Sequence, residues 1–185
     1  MRPHNRSRFL TIALALGIST QLHEPLSAQL YAEVRGGAAV GSHTATAAAM
    51  ELEPGLSLAG TLSLQTKGTL GLYAGFVRTE FGCVNGFCTD RDITFTGNDI
   101  RLGLSVGRQG PWMQAGLLYG GTGAGTDKVS SGIGVEAGAG LAFTAGKFRF
   151  SPGIMYRRHN ANSLVRTDHA VSLSFDLGIG LQIRN

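Results

Sequence analysis

The segment "HAVSLSFDLGIGLQI" from His169 to Ile183 alternates without a break. Val171, Leu173, Phe175, Leu177, Ile179, Leu181 and Ile183 take one parity, while Ala170, Ser172, Ser174, Asp176, Gly178, Gly180 and Gln182 take the other. Only a period of two sorts these residues. Successive side chains of a β-strand point to opposite faces, so the segment is a strand with one wholly apolar face and one small, polar face.

The same period recurs along the chain. Leu30, Ala32, Val34 and Val40 oppose Tyr31, Glu33, Arg35 and Gly37, and Leu52, Leu56, Leu58, Leu62 and Leu64 oppose Glu53, Gly55, Ser57, Ala59, Thr61 and Ser63. It returns in "TLGLYAGFVRT", "DIRLGLSVGR", "SGIGVEAGAGLAF" and "KFRFSPGIMYRRH", and less cleanly in "WMQAGLLYGG", where Leu118 is out of pattern. With the final segment this makes eight strands. Short connections are expected near 65–69, 108–111 and 144–147, and longer ones near 41–50, 80–98, 122–131 and 159–169. Short and long connections in alternation put all the tight turns at one end of an up-and-down array and all the long loops at the other, as in outer-membrane barrels.

Alternation does not say which face is inside, because a soluble eight-stranded barrel with an apolar cavity has the same period. Composition separates the two. A water-facing surface is rich in Lys and Glu, yet the lysines, Lys67, Lys128 and Lys147, all fall in turns or loops. The polar face is mostly Gly, Ser, Ala and Thr, the sizes that the bore of an eight-stranded barrel holds. Its charges balance: Glu33, Glu53, Glu136 and Asp176 against Arg35, Arg101, Arg149 and Arg157. Enclosed charges need partners, since stranding one costs several kcal/mol. The apolar face carries Phe143, Phe148 and Phe150 by the short turns and Phe76, Tyr119 and Tyr156 nearer the long loops, the placement of interfacial girdles. The expected fold is therefore all-β: an eight-stranded antiparallel up-and-down transmembrane β-barrel, apolar outside and polar within. In hydrocarbon every backbone polar group must be paired, so the first strand should close against the last.

Residues 1–28 have the layout of a secretory signal peptide: Arg2, Arg6 and Arg8, an apolar run from Phe9 to Ile18, and Leu26-Ser27-Ala28 before the cleavage point. The run is too short to span a ~30 Å hydrocarbon core. Residues 29–185 then form one barrel domain. Without Arg2, Arg6, Arg8 and Glu24, 13 basic residues face 11 acidic ones, a net charge of +2 with no run of one sign. Nothing there recommends nucleic acid as a partner. Cys83 and Cys88 flank Asn85-Gly86, a tight-turn pair, and in an exported chain are expected to form a disulfide. Two thiols are half a zinc shell, and no further ligand follows at suitable spacing, so neither a metal nor a cofactor is expected.

The chain from 29 to 185, with stretches such as "GVEAGAGLAF" and "SPGIMYRRH", resembles the small eight-stranded outer-membrane β-barrel proteins of the OmpA membrane-domain and OmpX type. The resemblance implies an outer-membrane location and a structural or surface-interaction role.

Four groups of residues are candidate sites. The interior charges either form a gated polar path or fill the bore as a salt-bridge plug, with Arg101 and Arg157 meeting Glu53 and Glu136 in the outer half and Arg35 and Arg149 meeting Glu33 and Asp176 in the inner half. Arg78, Arg158 and Arg166 fall at the outer rim, where guanidinium groups can grip lipopolysaccharide phosphates or extend into solvent. The stretch "YRRHNANSLVRTDH" holds His159, Ser163, Asp168 and His169, the residue types of a lipid A deacylase, but Ala161 stands where a His-x-Ser nucleophile is needed. No enzyme is expected on that basis. "YGGTGAGTDK" lacks the G-x-x-x-x-G-K-[ST] order of a phosphate loop and reads as an outer loop. The expected functions are surface contact by a monomer with outer-membrane lipid, lipopolysaccharide above all, or with an external partner; then a narrow gated pore; then lipid A modification.

Overall fold

The computed structural model describes residues 29–45, 48–66, 69–82, 95–107, 109–124, 127–162 and 167–184. The expected signal peptide, Cys83, Cys88, Ser163 and Arg166 lie outside the described residues. Among the described residues nine strands follow in order: β1 (Gln29–Ala45), β2 (Ala48–Glu51), β3 (Gly55–Gln65), β4 (Leu70–Phe81), β5 (Phe95–Val106), β6 (Gly110–Ala124), β7 (Asp127–Ala145), β8 (Phe148–Asn162) and β9 (Thr167–Arg184). Eight of them are staves of a closed antiparallel barrel, in the order β1-β3-β4-β5-β6-β7-β8-β9, with β9 returning to β1. The closing ladder runs from Leu30 opposite Arg184 to Ala45 opposite Asp168. Closure leaves no stave with an unpaired edge in the apolar zone, which is what a β-structure in hydrocarbon requires. The ninth strand, β2, pairs with the outer end of β1.

The alternation is inside out relative to a water-soluble protein. In β3, Leu56, Leu58, Leu62 and Leu64 are exposed while Ser57, Ala59, Ser63 and Gln65 are buried. The outward series changes from apolar to polar at one level around the barrel. Phe76 gives way to Arg78 and Glu80, Ile100 to Asn98 and Thr96, Tyr119 to Gly121, Ile133 to Ser131, Tyr156 to Arg158, Val171 to His169, and Val40 to Ser42. In β3 and β8 the apolar band covers residues 56–64 and 148–156. Nine residues at ~3.3 Å each, tilted by ~40°, reach about 23 Å, matching the ~25 Å band of outer-membrane barrels. The girdle aromatics Phe76, Tyr119, Phe143, Phe148, Phe150 and Tyr156 all lie on this outward face.

The expected long loops are shorter than the sequence pattern suggests. β6 and β7 stay paired out to Ala124 opposite Asp127, and β8 and β9 out to Asn162 opposite Thr167. Alternation fails at 122–131 and 159–169 because the outward face has left the apolar zone. Backbone pairing continues past that point, so loss of the period marks the membrane boundary and not the end of a strand. At the other end the turns are tight. Gly146, with φ of 62° in the left-handed region, makes the two-residue reversal between β7 and β8.

Candidate functional site

The small inward residues leave room for a few large charged ones. At Gly103, for instance, a Cβ would stand 2.5 Å from the Tyr73 hydroxyl. The polar interior then divides into levels along the axis.

In the inner half, Glu33 on β1 accepts from Arg35 Nη2 at 2.9 Å, Arg149 Nη1 at 3.4 Å and Ser151 Oγ at 2.9 Å. The Arg35 guanidinium also lies 4.6 Å from the centroid of the Trp112 ring, a cation–π contact that stabilises a desolvated cation. Trp112 donates its indole N–H to the Leu141 carbonyl at 3.2 Å.

In the middle, Glu136 on β7 is ion-paired with Arg101 Nε at 2.8 Å and Arg157 Nε at 3.5 Å and accepts a hydrogen bond from the Tyr73 hydroxyl at 2.8 Å. Arg157 reaches Asp176 at 3.3 Å and donates to Ser57 and Ser174 at 3.1 and 2.9 Å. Arg101, Glu136, Met155 and Asp176 are all at most 2% exposed. The bore is therefore filled at this level by side chains of opposite charge in contact, with Arg101 Nη1, Glu136 Oε2 and Asp176 Oδ1 buried without a hydrogen bond. Ala59, Val77 and Leu118 form a buried apolar cluster beside it. Leu118, out of pattern as a lipid-facing residue, shares the parity of Trp112 and points inward with it.

Above Leu118 a vestibule with a cavity of about 40 Å³ opens towards the outer end, walled by Leu52, Phe81 and Phe95. Into it face Asp99 and His159, with Nδ1 3.0 Å from the carboxylate, and His43. His43 and His159 lie on one rung, each opposite Ala170.

Two expected members of the interior set are placed differently. Glu53 is exposed, in the segment between β2 and β3, where its backbone N–H bonds the Gly82 carbonyl at 3.0 Å. The strand begins only at Gly55, so parity does not carry Glu53 inward. Asp176 pairs with Arg157 in the middle level and not with Arg35 and Arg149, because the stagger of tilted strands, and not distance from a strand end, sets which side chains meet. Asp99 takes the place of Glu53 in the balance: among the described residues the four interior arginines are matched in number by Glu33, Glu136, Asp176 and Asp99, of which Asp99 faces His159 and not an arginine. Asp99 shares the parity of Arg101, and His159 that of Arg157, which is the sequence signal for both.

At the rim, Arg78 on β4 and Arg158 on β8 point outward and are exposed, as expected, but they lie on opposite sides of the barrel, four staves apart. Arg78 is paired with Glu80 at 3.0 Å. Arg158 has no ion pair among the described residues. His159 and His169 point to opposite faces, His169 Nδ1 donating to Asn160 Oδ1 at 2.8 Å on the outside. A deacylase constellation containing both histidines is thereby not assembled.

No family model matches the chain, and no curated protein matches it. Among solved structures it is similar to Neisserial surface protein A, with a TM-score of 0.58 at 14% identity over 85% of this chain and 99% of that one. The fold is that of the small eight-stranded outer-membrane β-barrels. Ail, the attachment invasion locus protein of Yersinia pestis, is similar at a TM-score of 0.54 and 14% identity over 82% of this chain and 98% of that one. The same protein solved in complex with the heparin analogue sucrose octasulfate gives 0.53 at 13% identity over 83% and 99%.

Proposed function

We propose that this barrel is exported through the signal peptide at 1–28, sits in the outer membrane as a monomer, and serves surface contact rather than transport or catalysis. One observation carries the reading. The interior arginines are all committed to carboxylates inside a filled bore, whereas Arg158 stands uncommitted among the described residues at the level where apolar surface ends. Lipopolysaccharide phosphates would lie at that level, and a guanidinium binds them bidentately. Arg166, in the same β8–β9 hairpin, is the further contact we assign to lipopolysaccharide; Arg78, held by Glu80 on the opposite side of the barrel, is left out of that contact. The outer hairpins, with the connection between β4 and β5 stapled by a Cys83–Cys88 disulfide, would meet an external partner. The polyanion bound by the similar Ail supports looking first among sulfated or phosphorylated ligands.

The test is binding of fluorescent lipopolysaccharide to the reconstituted barrel. A charge-assisted contact of ~1.5–3 kcal/mol makes Arg158→Ala bind about tenfold or more weakly. Unchanged affinity in Arg158→Ala and Arg166→Ala would remove the lipopolysaccharide reading. The rival pore reading needs steady openings in planar bilayers, which a filled bore does not support.

A further inference from the structure

Phe76, Ile100 and Tyr119 occupy one rung of β4, β5 and β6 on the outward face, at the top of the apolar band. They are 62%, 67% and 58% exposed. Two large rings thus flank a narrower aliphatic side chain. The recess between them has a volume of about 430 Å³ and reaches the sheet itself at Val77, Asp99 and Gly120, within the ~300–1,000 Å³ range of ligand sites. The next rung up is Arg78, Asn98 and Gly121, so the recess is roofed by a guanidinium and an amide on one side and is open on the other, where Gly121 has no side chain.

The charge at this roof is not simply basic. Arg78 Nη2 and Glu80 Oε2 are 3.0 Å apart, both side chains about half exposed, and solvent screening leaves a pair so exposed only weakly held. It is free to exchange partners. The complement of an adjacent guanidinium and carboxylate is a phosphate beside a primary ammonium. The phosphate takes the forked donors of Arg78, and the ammonium, with three N–H donors, replaces that lost contact at Glu80. An acyl chain attached to the same headgroup points down into the Phe76–Ile100–Tyr119 recess, in the direction the bilayer dictates.

We infer that this face is a lipid site selective for an acylated phosphate–ammonium headgroup, of the phosphoethanolamine class. It rests on the barrel spanning a bilayer, but not on the lipopolysaccharide contact at Arg158, which is on the opposite side.

The experiment uses the reconstituted barrel in phosphatidylcholine with trace spin-labelled lipids of identical chains, reading the motionally restricted fraction. Phosphatidylethanolamine should associate at least threefold more strongly than phosphatidylcholine, whose quaternary ammonium has no N–H, and than phosphatidylglycerol, which has no ammonium. Glu80→Gln should reverse the order in favour of phosphatidylglycerol, and Ile100→Trp should fill the recess and reduce the selectivity to that of bulk lipid. Equal association of all three lipids with the wild type, a wild-type preference for phosphatidylglycerol, or no change in order in Glu80→Gln would each overturn the assignment. A heat-dependent gel shift on the same samples reports the barrel separately: if it is absent, the bilayer reading itself fails, whereas intact barrels without lipid selectivity sink the site alone.

Discussion

Glu136 is the residue on which the filled bore depends most. Its carboxylate, with a side chain of zero exposure, is ion-paired with Arg101 and Arg157 and accepts a hydrogen bond from the Tyr73 hydroxyl. In Glu136→Ala two buried guanidinium groups are left to share Asp176, 3.3 Å from Arg157. Breaking a buried pair by removing one partner costs ~3–5 kcal/mol, against ~0–1 kcal/mol for a solvated pair. Glu136→Gln keeps the volume and an acceptor for Tyr73 but removes the charge, and should still cost several kcal/mol. Adding Arg101→Met to it restores neutrality, leaving Arg157 with Asp176, so the double variant should lose at least ~2 kcal/mol less than the sum of the singles. Trp112, the single tryptophan of the chain and buried in the bore, reports folding directly. The assay is urea-dependent folding into phospholipid vesicles followed by its fluorescence, with gel mobility as a second probe. A cost below ~1 kcal/mol for Glu136→Gln, or strict additivity in the double variant, would mean that these charges are solvated and that the bore is wet.

Three other outcomes follow from the same geometry. Leu177→Arg, in the middle of the β9 apolar band, should cost ~2–4 kcal/mol in the same titration and Tyr156→Arg, at its edge, ~0–1 kcal/mol; equal costs would contradict a bilayer around the barrel. Gly103→Ala already forces a Cβ against the Tyr73 hydroxyl and the Ala115 backbone, for an overpacking penalty of ~1–3 kcal/mol that Gly103→Val increases; a neutral alanine would show the interior to be loose. Alkylation of the denatured, unreduced chain should label neither Cys83 nor Cys88 until reductant is added, and labelling without reductant removes the staple.

The barrel was legible because parity is a property of every residue and the membrane inverts its meaning in one direction only. Val34, Leu62, Ile100 and Phe175 all declare the outward face through their neighbours' size and polarity, without reference to any distant part of the chain. Parity also reaches further than apolar alternation does. Asp99 is in phase with Arg101, but its outward neighbour Asn98 is already polar, so the signal that marks a strand fades just where the vestibule begins. What parity cannot encode is stagger. Whether Asp176 meets Arg35 or Arg157 depends on how far β8 and β9 slide against their neighbours, and that slide is set by closure of the whole sheet. Glu53 shows the same limit, since two residues of non-strand backbone before Gly55 disconnect its side chain from the phase of Ser57. The charge balance itself survived both displacements, with Asp99 replacing Glu53. Neutrality is demanded by enclosure as a whole, and so is more readable than any of the pairs that achieve it.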